Sequence, residues 1–278
     1  MKKSELAKEM ADILLRIKRT RPLIHCITNY VAANDSANML LAIGASPIMA
    51  DCSEEASDIA AGADGLLLNL GIPNPDKLHA MRLAGEAANR FGKPIVFDPV
   101  GIGASSFRKE ASAGLLKAVQ VQIIRANASE MRELCGLHSH AAGVDAAGEN
   151  GNKALAETAA RKFGCVAAVT GKSDFVSDGK RTVCLKNGHA DLSRLTGTGC
   201  MSSAVTAAFL SRANDPLAAA CAGIAFLGIC GEIAAAYAAG MGGFHSSLLD
   251  AAGNLTADIF LERLCLELLE EQTDLPIG

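Results

Sequence analysis

Apolar residues at 6, 10, 13, 14 and 17 recur through an otherwise charged N-terminal stretch, the spacing of one helix face. After it, short apolar runs alternate with longer amphipathic ones. PLIHCIT (22–28) and SPIMA (46–50) are predicted strands, with NDSANMLLAIGA as a helix between them. GLLLNLG (65–71) is a continuous apolar run closed by glycine, the pattern of a strand buried on both faces. NPDKLHAMRLAGEAANRFG (74–92) is predicted as a helix with its cap near Asn74. PIVFDPVG (94–101) is the next strand and its exit. VQIIRANASE reads as a strand that ends in a polar turn and opens a helix near Ser129. CVAAVTG (165–171) is a strand and FVSDGKRTVCL (175–185) a hairpin, while the chain from Cys200 onward reads as almost wholly helical through TADIFLERLCLELLEE. Repeated strand–helix units with apolar strands predict an α/β fold, a mostly parallel central sheet with helices on both faces. No stretch has linker composition, so residues 1–278 are expected to form a single domain, with 136–152 as a surface loop.

Composition narrows the function. Half of the 278 residues are hydrophobic and the formal charge is -4, which suits a large core and argues against nucleic acid as a partner. The N-terminus has no apolar core of a signal peptide. The apolar stretch 217–240 is interrupted by Glu232 and is read as a buried helix rather than a membrane span. Nine cysteines without a CxxC pair suggest buried thiols in a reducing compartment, hence a cytoplasmic protein.

Ligands of open parallel sheets bind beyond the carboxyl ends of the strands. Asn69 and Gly71, Asp98 to Gly101, Arg125 to Glu130 and Thr170 to Lys172 all fall there. VTGKS (169–173) lacks the first glycine of a P-loop, since the position it requires is Val166. Gly197, Thr198 and Gly199 form a better anion hole, leading into a helix whose free amides attract phosphate. Cys200 stands at that helix start, a place expected to lower a thiol pKa, although inert burial is the alternative. Asp98 and Glu130 have the chemistry to hold Mg²⁺ directly or through water, and Glu130 equally suits helix capping. Arg125 beside a core needs an anionic partner, either phosphate or Glu130. His25, Asn29 and Met49, taken alone, read as core or turn residues.

Together PLIHCITNYVAANDSANMLLAIGASPIMA, EEAS, LLLNLG, PIVFDPVGIGAS, IIRANASE, VTGKSDFVSDG and LTGTGCMSSAV resemble the hydroxyethylthiazole kinase family, over roughly residues 21 to 210. The family belongs to the ribokinase-like superfamily and serves thiamine biosynthesis. The resemblance implies ATP-dependent phosphorylation of the primary alcohol of 5-(2-hydroxyethyl)-4-methylthiazole. It also implies that Arg125 and Thr170 contact ATP, that Met49 and Gly197 contact the thiazole, and that Asp98 and Glu130 serve magnesium. Cys200 occupies the place where most ribokinase-like enzymes carry an aspartate base. A homotrimer with active sites between subunits is implied as well. Ala126, where relatives carry glycine, requires a negative φ, and Phe175 stands where relatives often have tyrosine. The competing readings are a ribokinase-like kinase of a hydroxymethylpyrimidine or pyridoxal, an ADP-dependent repair dehydratase, a non-catalytic nucleotide sensor and a redox switch.

Overall fold

The structure is a computed structural model that describes residues 2–137 and 149–269. The first half runs α1 (Lys3–Thr20), β1 (Leu23–Ile27), α2 (Ala33–Ala42), β2 (Ser46–Met49), α3 (Ser53–Gly62), β3 (Gly65–Asn69), α4 (Pro75–Arg90), β4 (Ile95–Asp98) and α5 (Ser106–Ala118). Next come β5 (Ile123–Asn127), α6 (Ala128–Cys135), α7 (Glu149–Phe163), β6 (Val166–Thr170), β7 (Asp174–Ser177) and β8 (Thr182–Leu185). The chain continues through α8 (Thr198–Leu210), α9 (Pro216–Tyr237), α10 (Met241–Asn254), α11 (Ala257–Arg263) and β9 (Leu266–Leu269).

The strands pair in the order β2-β1-β3-β4-β5-β6-β7-β8-β9. From β2 to β6 every pairing is parallel, and β7, β8 and β9 then add antiparallel strands at one edge. Alternation along the strands divides the apolar side chains between two cores. Leu67, Val96 and Ile123 face α1, α2, α8, α9 and α10. Leu66, Leu68, Ile95, Phe97 and Ile124 face α3 to α7. The predicted α/β architecture, helices on both faces of a mostly parallel sheet, is the one observed.

The stripe 6, 10, 13, 14, 17 is the buried face of α1. The apolar 217–240 stretch is α9, and 89% of its most apolar 18-residue window lies inside the protein. Two expectations are corrected. The end of the chain is not all helical: after α11, β9 pairs with β8 and closes that edge of the sheet. Its pattern has period two, with Leu266 and Leu268 packed in one core, Leu269 in the other, and Glu267 reaching Lys186 at 2.7 Å. The surface loop expected at 136–152 is corrected at its end, where residues 149–152 belong to α7; residues 138–148 lie outside the described residues.

Candidate active site

Parallel register brings the strand ends together. Asn69 pairs with Asp98 at the ends of β3 and β4, and Asn127 with Thr170 at the ends of β5 and β6. The N-terminus of α8 meets them from one side of the sheet. Its cap is Gly197, whose left-handed φ of 85° lets the chain turn into the helix, and a Cβ there would stand 3.1 Å from that of Ala32. The first intrahelical bond is Met201 N to Gly197 O at 2.8 Å, so the amides of Thr198, Gly199 and Cys200 are the helix's spare donors. The helix therefore starts two residues before Cys200. The Gly-Thr-Gly segment forms its cap and first two positions instead of a loop ahead of it.

Asp98 is completely buried. Its Oδ2 accepts from Asn69 Nδ2 at 2.9 Å and from Ser203 Oγ at 2.6 Å, with Arg125 Nη1 4.0 Å away. Its Oδ1 is buried with no hydrogen-bond partner among the described residues. Burial pushes the Asp98 pKa up to about 6, against the pull of Arg125, Ser203 and Asn69. This arrangement corrects one expectation: the anionic partner of Arg125 is Asp98, not Glu130. Glu130 instead closes a capping box on α6, its Oε2 accepting from Asn127 N at 3.0 Å while Oε1 accepts from Gly101 N at 2.8 Å.

A chain of side-chain amides links Cys200 to Asp98. Asn29 Nδ2 lies 3.1 Å from both Cys200 Sγ and Asn69 Oδ1, and Asn69 passes the connection to Asp98. Asn29 Oδ1 in turn accepts from Ala32 N at 3.0 Å, which fixes the turn after β1. Gly71 makes room for this amide, since a Cβ there would stand 2.6 Å from Asn29 Nδ2. The thiol pKa is raised, not lowered as its place at a helix start suggests. Burial is the main cause and the charge of Asp98 the second, outweighing the hydrogen bonds from Asn29 and Asn69 and the charge of Arg125. The helix end offers its partial charge, but the thiol has lost its water.

Beside this chain opens a cleft of about 740 Å³, lined among others by Arg125, Thr170, Asp174, Asn187, Gly199 and Leu227. Burial pushes the Asp174 carboxyl up to about 6 despite its bond from Gly171 N at 2.9 Å. Residues 171–173 form the turn between antiparallel β6 and β7, not a strand-to-helix loop, which is why they cannot wrap a phosphate in P-loop fashion.

The residues singled out in the sequence thus fall into groups. Arg125, Thr170, Thr198 and Gly199 share the cleft, and Asp98 and Cys200 join them through Arg125 and the amide chain. Met49 ends β2 beside Cys26, 37% exposed and outside the polar chain. His25 is a structural histidine, its Nε2 2.7 Å from Ala50 O and its pKa lowered by burial. Ala126 has the negative φ that alanine requires, because the non-glycine residues of positive φ among those described are Arg21 and Ile72. No group of three His, Cys, Asp or Glu side chains among the described residues forms a ready metal cage. Sequence reasoning missed Ser203, which lies one helical turn after Gly199 on the face turned to Asp98. It also missed Asp174 and Lys77.

A family model described as the hydroxyethylthiazole kinase family matches residues 14–258. A relative from Clostridium botulinum named hydroxyethylthiazole kinase is 42% identical over 268 residues, 94% of this chain and 96% of its own. A solved hydroxyethylthiazole kinase from Pyrococcus horikoshii OT3 superposes with a TM-score of 0.88 at 39% identity, over 95% of this chain and all of that one. A ribokinase-like superfamily protein from Enterococcus faecalis V583, at 12% identity and a TM-score of 0.61 over 89% of this chain and 95% of its own, shares the fold.

Proposed function

The chain belongs to the hydroxyethylthiazole kinase family, and from that premise we propose that it transfers the terminal phosphoryl group of ATP to the primary alcohol of 5-(2-hydroxyethyl)-4-methylthiazole, in thiamine biosynthesis. The observation that carries the reading is the convergence of the free α8 amides, the Arg125 guanidinium and the Asp98 carboxylate at the end of a cleft large enough for a nucleotide.

Phosphoryl transfer runs through a loose transition state, so positioning and charge neutralisation carry most of the catalysis. In this reading Thr170 and Arg125 hold ATP, and the amides of 198–200 with Arg125 absorb charge on the migrating group. Gly197 and Met49 border the thiazole. Cys200 faces the attacking hydroxyl and assists. Its thiol stays protonated at neutral pH, so the alcohol surrenders its proton late and the sulfur contributes less than the amides.

Magnesium is the ion this chemistry requires. The buried, unpartnered Oδ1 of Asp98 fits a cation. Both oxygens of Glu130 already accept from backbone amides, so Glu130 would serve through water, which magnesium retains. When bound with ATP, the ion would neutralise polyphosphate charge. The reading extends to residues 1–278 working as one domain, in the cytoplasm, where a protein with six buried free cysteines stays reduced. It includes a homotrimer. Tyr30, Val31, Leu41 and Met49 are exposed apolar side chains near edge strand β2 and give such an assembly a surface.

A substrate panel with ATP and Mg²⁺ tests the proposal. The thiazole alcohol should turn over with the highest kcat/KM, and faster turnover of a hydroxymethylpyrimidine or of pyridoxal would overturn it.

A further inference from the structure

Lys77 is the third residue of α4, its backbone amide capped by Asn74 Oδ1 at 2.8 Å. Two things make this a poor place for a cation. The first turn of a helix is the positive end of its dipole. The side chain is also only 1% exposed, in a class of residue that is almost never fully buried without a partner. Burial draws the ammonium pKa down, and Asp51 draws it partly back.

Its partners show what holds it there. Nζ donates to the carbonyl of Thr28 at 3.0 Å, lies 3.8 Å from Asp51 Oδ2 and sits 4.2 Å from the centre of the Tyr30 ring. Tyr30 closes the triangle by donating its hydroxyl to Asp51 Oδ2 at 3.0 Å. One ammonium thus fastens the turn after β1 to the turn after β2. Thr28 immediately precedes Asn29, the donor to Cys200, and Asp51 lies two residues beyond Met49. The nucleotide cleft, by contrast, has none of these residues in its wall.

We propose that Lys77, with Tyr30 and Asp51, is a clasp that sets the geometry of the acceptor side, making Lys77 a positioning residue for the alcohol and not for the nucleotide. The assignment rests on the acceptor side proposed above. It is separable from it, because the clasp is tested on whichever alcohol the wild-type protein phosphorylates fastest, and also with no alcohol present.

The test is Lys77→Met, which roughly keeps the volume and removes the buried charge, leaving the partly exposed Asp51 carboxylate to water and the Thr28 carbonyl without its donor. The KM for the alcohol should rise about tenfold while kcat and the KM for ATP stay within about twofold, a discrimination worth about 1.4 kcal/mol at the acceptor alone. Alkylation of Cys200 by iodoacetamide, followed by peptide mass spectrometry without substrates, should quicken severalfold as Asn29 loosens. A merely structural lysine would shift melting temperature and both KM values together. Should Lys77→Met fail to fold, Asp51→Asn at a half-buried position and Tyr30→Leu at an exposed one remove the other corners and should move the same two readouts in the same direction. An unchanged alcohol KM or an unchanged Cys200 alkylation rate in the folded variant overturns the clasp.

Discussion

Ser203 Oγ donates to Asp98 Oδ2 across 2.6 Å, joining residues 105 apart in sequence and tying the second turn of α8 to the end of β4. The helix whose free amides face the cleft and the buried carboxylate beside Arg125 are therefore held as one unit. Ser203→Ala should lower kcat about tenfold, near the lower end of what a hydrogen bond to a charged group is worth. The same bond helps hold the Asp98 carboxyl down, so its loss should move the acid limb of kcat/KM to higher pH. A pH–rate profile between pH 5 and 9 checks both, and an unmoved limb would refute the coupling.

Asp98 itself is held at the expense of stability. Its pKa in the fold is about 6, above the ordinary 3.8. A raised carboxyl favours the fold fully below the ordinary pKa, and that contribution disappears as pH rises through the folded value. Asp98→Asn should therefore raise the melting temperature at pH 8, by about 2–6 °C for a contribution on the order of 1–3 kcal/mol. The gain should shrink toward pH 4, and turnover should fall by about a hundredfold or more. Thermal melts at the two pH values, with one turnover assay, decide the matter.

The relative weight of amide and thiol is testable at neighbouring positions. A Cβ at Gly199 would stand 2.9 Å from Arg125 Nη1, so Gly199→Ala should displace the guanidinium from the free amides. Its kcat/KM should fall by about 10²–10³, the scale of losing one preorganised donor. Cys200→Ala should fall by only about tenfold, below the roughly 10²–10⁴ of a working general base, because the thiol stays protonated. Steady-state kinetics showing the opposite order would transfer the leading role to the thiol.

Close packing behind the site gives a stability prediction. A Cβ at Gly223 of α9 would come within 2.7 Å of Thr206 Cα on α8, a backbone atom that cannot swing away. Overpacking of about 1–3 kcal/mol should exceed the gain of about 1 kcal/mol in helix propensity. Urea unfolding of Gly223→Ala should show a lower midpoint with the same slope.

The strands and their order of use were legible because parallel strands buried on both faces write continuous apolar runs, as Leu66, Leu67 and Leu68 do. Site positions at strand ends followed: Asn69, Asp98 and Thr170 close their strands as expected, whereas Arg125 is the middle residue of β5, two short of its end. Helix α3 was harder to read because its buried residues are Ala56 and Ala60, too small to write an amphipathic stripe. β9 was hidden by leucines that serve two cores at once. Tertiary partners were the larger gap. The raised thiol pKa of Cys200 comes from burial and from Asp98, far away in sequence, and a position at a helix start points the other way. The pairing of Arg125 with Asp98 instead of Glu130 depends on which strand lies beside β5. Lys77 carries no sequence signal of burial at all, since a lysine in the first turn of a helix ordinarily reaches into water.

The central claim is that the start of α8 receives the phosphoryl group on its way to the alcohol. A crystal structure with the thiazole alcohol and a non-hydrolysable ATP analogue tests it most directly. The terminal phosphate should lie against the amides of Thr198, Gly199 and Cys200, with the acceptor oxygen between it and the Cys200 sulfur. A terminal phosphate directed elsewhere, with those amides closed off inside packed protein, would contradict the account.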